Sequence, residues 1–146
     1  MDRKLGAPKT PWHVWVVGVV SLLWNAGGVA SYTMTELGML DGMGIPQEQL
    51  DYFYNFPTWA VAVWALGVWG CFFGSLLLLF RSRFAVWSFG ISIIGLVGTT
   101  YYERMVAVIP ESLQTTGNNI FAAVIWGVTL LLFIYASRMK RAGVLK

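Results

Sequence analysis

Two apolar runs joined by three residues decide the fold: residues 58–80, TWAVAVWALGVWGCFFGSLLLLF, and residues 84–102, FAVWSFGISIIGLVGTTYY, separated by Arg81-Ser82-Arg83. Neither run holds a charged residue, and about 20 apolar residues in a helix suffice to cross the roughly 30 Å hydrocarbon layer of a bilayer. A connection as short as Arg81-Ser82-Arg83 leaves two such helices no arrangement except as antiparallel neighbours.

Working outward, residues 12–34 and 119–137 form two further runs free of Asp, Glu, Lys and Arg. The chain has 146 residues, of which 57% are hydrophobic and only 12% charged, so its excess apolar surface must face lipid. The expected fold is all-α: one membrane domain, 1–146, built as a four-helix transmembrane bundle with antiparallel neighbours. Basic residues before the first run, followed by Gly28-Val29-Ala30, also fit a cleaved signal peptide. Apolar character continuing to Met34 favours a retained first helix.

The charges give an independent test of topology, because short cytoplasmic segments are enriched in Lys and Arg. Nine of the ten basic residues precede the first run (Arg3, Lys4, Lys9), fill the turn (Arg81, Arg83) or follow the last run (Arg138, Lys140, Arg141, Lys146). Six of the seven acids, Glu36, Asp41, Glu48, Asp51, Glu103 and Glu111, fall in the two alternate connections, with Arg104 the lone base there. The expectation is a multi-pass protein of a bacterial inner membrane with both termini cytoplasmic. The net charge of +3 reports this orientation, and no nucleic-acid partner is inferred from it.

In the first outer connection Pro46 opens a short helix, with Leu50, Phe53 and Tyr54 on one face, and Asn55-Phe56-Pro57 ends it; the helix is expected to lie in the outer interface or to cap the bundle. In the second, Asn118 or Asn119 is the expected cap of the last helix. Trp12, Trp15, Trp59, Tyr101, Tyr102 and Tyr135 lie near span ends, where aromatic rings anchor to headgroups.

In lipid, close backbone approach replaces the hydrophobic force between helices, so small residues mark contacts. Gly67, Gly70 and Gly74 recur along one side of the second run. Ser88, Ser92, Gly95 and Thr99 do so on the third, and Asn119, Ala123 and Gly127 form a weaker stripe on the fourth. The Gly70 to Gly74 spacing also fits a dimer contact, although an internal seam accounts for it more simply.

Asn25 is the one polar group expected deep in the first helix, and it needs partners there. At about 100° per residue, Tyr32 and Glu36 fall within about 20° of its face, Glu36 about 16 Å further out, with Ser21 nearly in line. This track is either a ligand-binding face or an interhelical hydrogen bond. Glu36 and Glu103 are expected near the outer ends of their helices, as hydrated acids or an outer-face site.

His13 is the only histidine and Cys71 the only cysteine, which removes a bis-histidine haem and a dithiol pair from this chain alone. No metal-ligand spacing and no phosphate-cradling glycine loop occurs, so no cofactor or metal is expected. The single histidine lies at the opposite surface from the acids, so no catalytic set converges and no enzyme activity is expected. Cys71, in an apolar run, reads as a small hydrophobe.

Pro11-Trp12-His13, residues 23–28, residues 52–59, residues 65–70, Gly74-Ser75-Leu76 and Arg81-Ser82-Arg83 resemble a group of small four-helix proteobacterial inner-membrane proteins, some carrying a loose sugar-transporter label. The likeness covers about the first 60% of the chain. Small multidrug exporters also have four helices, but their first helix carries a proton-coupling carboxylate where this chain has Asn25. An amide exchanges no proton at working pH. The expected role is an accessory or stabilising subunit that joins other membrane protein subunits in the lipid bilayer. The alternative is a small-molecule or lipid carrier working as a homo-oligomer.

Overall fold

The computed structural model describes residue 6 and residues 8–146. Arg3 and Lys4, used in the charge argument, lie outside the described residues. Four long helices, α1 (Trp12–Glu36), α3 (Thr58–Leu79), α4 (Phe84–Tyr101) and α5 (Thr116–Arg141), alternate in direction, and a short helix α2 (Gln47–Tyr54) lies in the first long connection. A π turn, Tyr102–Val106, extends α4, and a 3-10 turn, Glu111–Leu113, precedes α5. Each of the four long segments has the length and apolarity to cross a membrane. The chain is a multi-pass membrane protein with an all-α, four-helix bundle.

Backbone hydrogen bonds explain where the helices stop. Past α1 the Gly38 N–H donates to the Thr35 carbonyl and Met39 N–H to Met34, with Gly38 at φ 65°. Past α5, Gly143 at φ 73° does the same, with Val144 N–H bonded to Met139. Both are left-handed stops that satisfy carbonyls the helix leaves open. The α3 stop has this pattern with Arg81, not glycine, at φ 55°. At the start of α5, Thr115 is the cap, its hydroxyl accepting from the Asn118 N–H at 3.1 Å. The expected caps Asn118 and Asn119 therefore sit inside the first turn, because Thr115 reaches the free N–H groups one turn earlier.

α3 and α4 form the most extensive helix pair, α1 packs on α3, and α5 packs on α4. The core at the end of the bundle bearing the Arg81–Arg83 turn contains Leu78, Phe89, Leu132, Ala136 and Leu145. This is the basic end. Here the Arg83 N–H donates to the Lys146 carbonyl, Lys146 N–H donates to Arg81, and the Arg81 guanidinium donates to Thr10 Oγ1 at 2.8 Å. Segments 8–11, 81–83 and 142–146 are thereby clasped together.

The other, acidic end is closed by aromatic rings. Buried Phe56 meets Tyr102 at 4.7 Å and Tyr52 at 5.3 Å, while Tyr102 also meets Trp59 at 5.4 Å. Edge-to-face pairs of this kind add about 0.5–1.5 kcal/mol each beyond area burial. Two expectations change here. The inward face of α2 is Leu50, Tyr52 and Phe53, while Tyr54 is exposed, bonding to Asp41 at 3.4 Å. Tyr102 is no headgroup anchor: it begins the π turn and turns inward onto Phe56.

Candidate functional site

The most developed polar arrangement is a layer across the middle of the bundle. From α1, buried Asn25 donates through Nδ2 to Ser75 Oγ at 2.9 Å and to the Cys71 carbonyl at 3.2 Å. The Cys71 thiol meets Ser92 Oγ of α4 at 2.9 Å and Thr129 Oγ1 of α5 at 3.7 Å. The layer closes back on backbone carbonyls: Ser92 donates to Gly67 at 2.6 Å and Thr129 to Ile125 at 2.8 Å. All four long helices contribute. Among the described residues, no buried side-chain nitrogen or oxygen lacks a partner. In a low-dielectric interior a satisfied network of this kind fixes one packing arrangement.

Local sequence makes this layer possible. Gly67 and Gly95 bring α3 and α4 to backbone contact: a Cβ built on Gly95 would lie 2.9 Å from the Gly67 Cα. A Cβ on Gly70 would lie 3.0 Å from the Ser92 Cα, and one on Gly74 would strike the Phe89 ring at 2.7 Å. Ser88 and Ser92 sit low enough in this seam to donate to α3 carbonyls, Ser88 to Gly70 at 2.7 Å. Thr99, also buried, bonds back to Gly95 at 2.9 Å.

The track expected along α1 is only partly assembled. Ser21, Asn25 and Thr35 are buried, and Tyr32 packs edge-on against Trp64 at 5.0 Å. Glu36 lies one residue beyond Thr35 and is exposed, so the face ends in a threonine that bonds back to Ser31. Glu103 is half-buried in the π turn, close enough to Tyr52 to disfavour its ionisation. Burial is the larger cause of that upward shift of the Tyr52 hydroxyl. Arg104 donates to Asn119 Oδ1 at 3.0 Å, joining the π turn to α5.

The stripe expected on α5 is not a packing face of the bundle. Asn119 and Ala123 are exposed, and a Cβ on Gly127 would meet nothing within 4 Å. Buried Thr129, Leu132 and Ala136 form the actual packing face, and Trp126 donates to Thr100 Oγ1 at 3.1 Å. Small residues do occur on the packing face of α5, Thr129 and Ala136, but on a different side of the helix from Ala123 and Gly127. Gly27 is similarly exposed, with open space where a Cβ would stand. At the basic end His13 Nδ1 hydrogen-bonds the Tyr135 hydroxyl, linking α1 to α5.

Ser75, Thr129 and the Cys71 thiol were not singled out as polar partners in the sequence. The available signal was polarity within apolar stretches: Cys71 and Ser75 interrupt residues 60–80 and Thr129 interrupts residues 120–136, where a buried Asn25 would need a partner. Among the described residues no three His, Cys, Asp or Glu side chains cluster. The class defined by these features is a four-helix membrane bundle with a saturated polar layer. Comparison with protein-family models, curated proteins and solved structures finds no match.

Proposed function

We propose that this chain is a non-catalytic accessory or stabilising subunit of a larger assembly in a bacterial inner membrane, with its basic end toward the cytoplasm. The observation that carries this reading is a contrast between helix faces. The α3–α4 seam uses its small residues for close packing, whereas Gly27 on α1 and Ala123 on α5 are exposed and half-buried Gly127 has open space where a Cβ would stand. Uncovered small residues in a span leave short grooves that a neighbouring helix fills at van der Waals distance. The resemblance to small proteobacterial inner-membrane proteins supports the location, and the distribution of Lys and Arg supports the orientation.

A carrier finds less support. Asn25, the residue that would meet a ligand, is committed to Ser75 and the Cys71 carbonyl. The most direct test places a photoreactive side chain at Gly27 or Ala123, with Trp87, exposed on α4, as control. A discrete protein adduct from the first two positions and none from the third is expected. Lipid adducts alone from all three would contradict the subunit reading.

A further inference from the structure

The basic end of α5 carries a recess of about 320 Å³ lined by Phe133, Ile134, Ser137, Arg138 and Arg141. Ile134, Ser137, Arg138 and Arg141 stand at i, i+3, i+4 and i+7, so they share one helix face. Along that face the lining changes within two turns from apolar to basic. That is the polarity profile of a phospholipid from its acyl chains to its phosphate.

Electrostatics select the headgroup. Arg138 and Arg141 are three residues apart, a spacing that puts their Cβ atoms about 5–6 Å from each other and makes like charges repel. Both are exposed. Apart from Asp2, which lies outside the described residues, every acid in the chain falls in the connections at the opposite end of the bundle. Among the described residues no Asp or Glu side chain therefore lies at the end that carries this pair. A phosphate between them accepts paired N–H donors from planar guanidinium groups, a geometry that lysine does not reproduce.

We propose that this recess binds one acidic phospholipid from the leaflet at the basic end, its phosphate on Arg138 and Arg141 and its acyl chain against Phe133 and Ile134. Basic recesses on the cytoplasmic side of membrane helices bind anionic headgroups through the same chemistry. Ser137 donates its hydroxyl proton to the Phe133 carbonyl at 2.8 Å, so it is satisfied within its own helix and the two arginines supply the recognition.

The test uses the full chain in mild detergent, mixed with equal amounts of phosphatidylglycerol and phosphatidylcholine of identical acyl chains, with retained lipid read by native mass spectrometry. The wild type is expected to retain phosphatidylglycerol preferentially. R138Q and R141Q should each lower that preference by about fivefold. Ile134→Trp fills the recess without altering charge and should also lower retention, whereas Lys140→Gln, outside the recess, should not. Circular dichroism identifies any variant that fails to fold, and the remaining single variants still decide the matter. Equal retention of the two lipids by the wild type would overturn the proposal. So would a preference that survives both R138Q and R141Q, or one that millimolar inorganic phosphate abolishes, which would mark a site for free anions.

Discussion

Asn25 donates to Ser75 Oγ at 2.9 Å, and this bond ties α1 to α3 at the depth where water is least available to replace it. With the second bond to the Cys71 carbonyl, it makes Asn25 a structural residue of the bundle. Hydrogen bonds between membrane helices contribute modestly, about 1 kcal/mol, because freed groups find other partners in the same helix. Asn25→Leu should lower stability by that order. Ser75 would turn to a carbonyl of its own helix, as serines in spans do. Thermal unfolding in detergent, followed by circular dichroism, measures the change. A loss several times larger would mean that Asn25 organises more than the α1–α3 contact.

The glycines divide into two kinds, and alanine substitution should separate them. Gly95→Ala forces a methyl group against the Gly67 Cα, 2.9 Å away, where only backbone could yield. Overpacking of this kind costs about 1–3 kcal/mol. Gly27→Ala and Gly127→Ala meet nothing within 4 Å and should leave stability of the isolated chain unchanged or slightly higher, because alanine favours helix. Chemical unfolding of the three variants side by side checks the contrast. Equal losses would contradict the assignment of Gly67 and Gly95 to an internal seam.

Cys71 is buried between Ser92 and Thr129, so neither reagent nor water reaches its sulfur in the folded bundle. Thiol reagents need both access and thiolate. Labelling by N-ethylmaleimide should be negligible in mild detergent and complete after denaturation. Ser92→Ala, which removes the nearest polar neighbour and loosens the seam, should accelerate labelling without unfolding the protein.

The Tyr52 hydroxyl in α2 is pushed above the ordinary tyrosine range, chiefly by burial and then by the Glu103 carboxylate and Tyr102, with Arg104 opposing. Its proton is therefore held more tightly in the folded state than in the unfolded one. Docking of α2 is fully stable below the unfolded value of about 10 and weakens as pH rises from there toward the folded value. Spectrophotometric titration should find Tyr52 the last tyrosine to ionise, and Tyr52→Phe should remove that final step. If Tyr52→Phe leaves the late-ionising fraction intact, the aromatic cap is misassigned.

Hydropathy and charge made the four spans and their alternation legible, since each apolar run is bounded by basic or acidic residues. The α3–α4 seam was legible too, because Gly67 and Gly70 face Ser92 and Gly95 at matching helical spacing, while Gly74 makes room for the Phe89 ring. Asn119, Ala123 and Gly127 misled for a physical reason: a small residue permits close approach but does not say that a partner occupies it. The clasp at the basic end was hidden in a segment that reads as a polar tail. Its signal was Gly143 followed by Val144 and Leu145, a helix stop that turns two apolar side chains back into the core. Tyr102 stands three residues beyond Thr99, on the face that already buries Phe89, Ser92 and Gly95, so its inward direction follows helical spacing, which the proximity to a span end obscured.

The subunit reading rests on the outward faces of α1 and α5, and native mass spectrometry of the protein extracted from its own membrane in mild detergent probes them at once. The expected spectrum holds a complex with a protein partner in fixed stoichiometry, which Gly27→Leu or Gly127→Leu disrupts while the isolated chain stays folded. A solitary, monodisperse wild-type chain, or a complex indifferent to both substitutions, would contradict it.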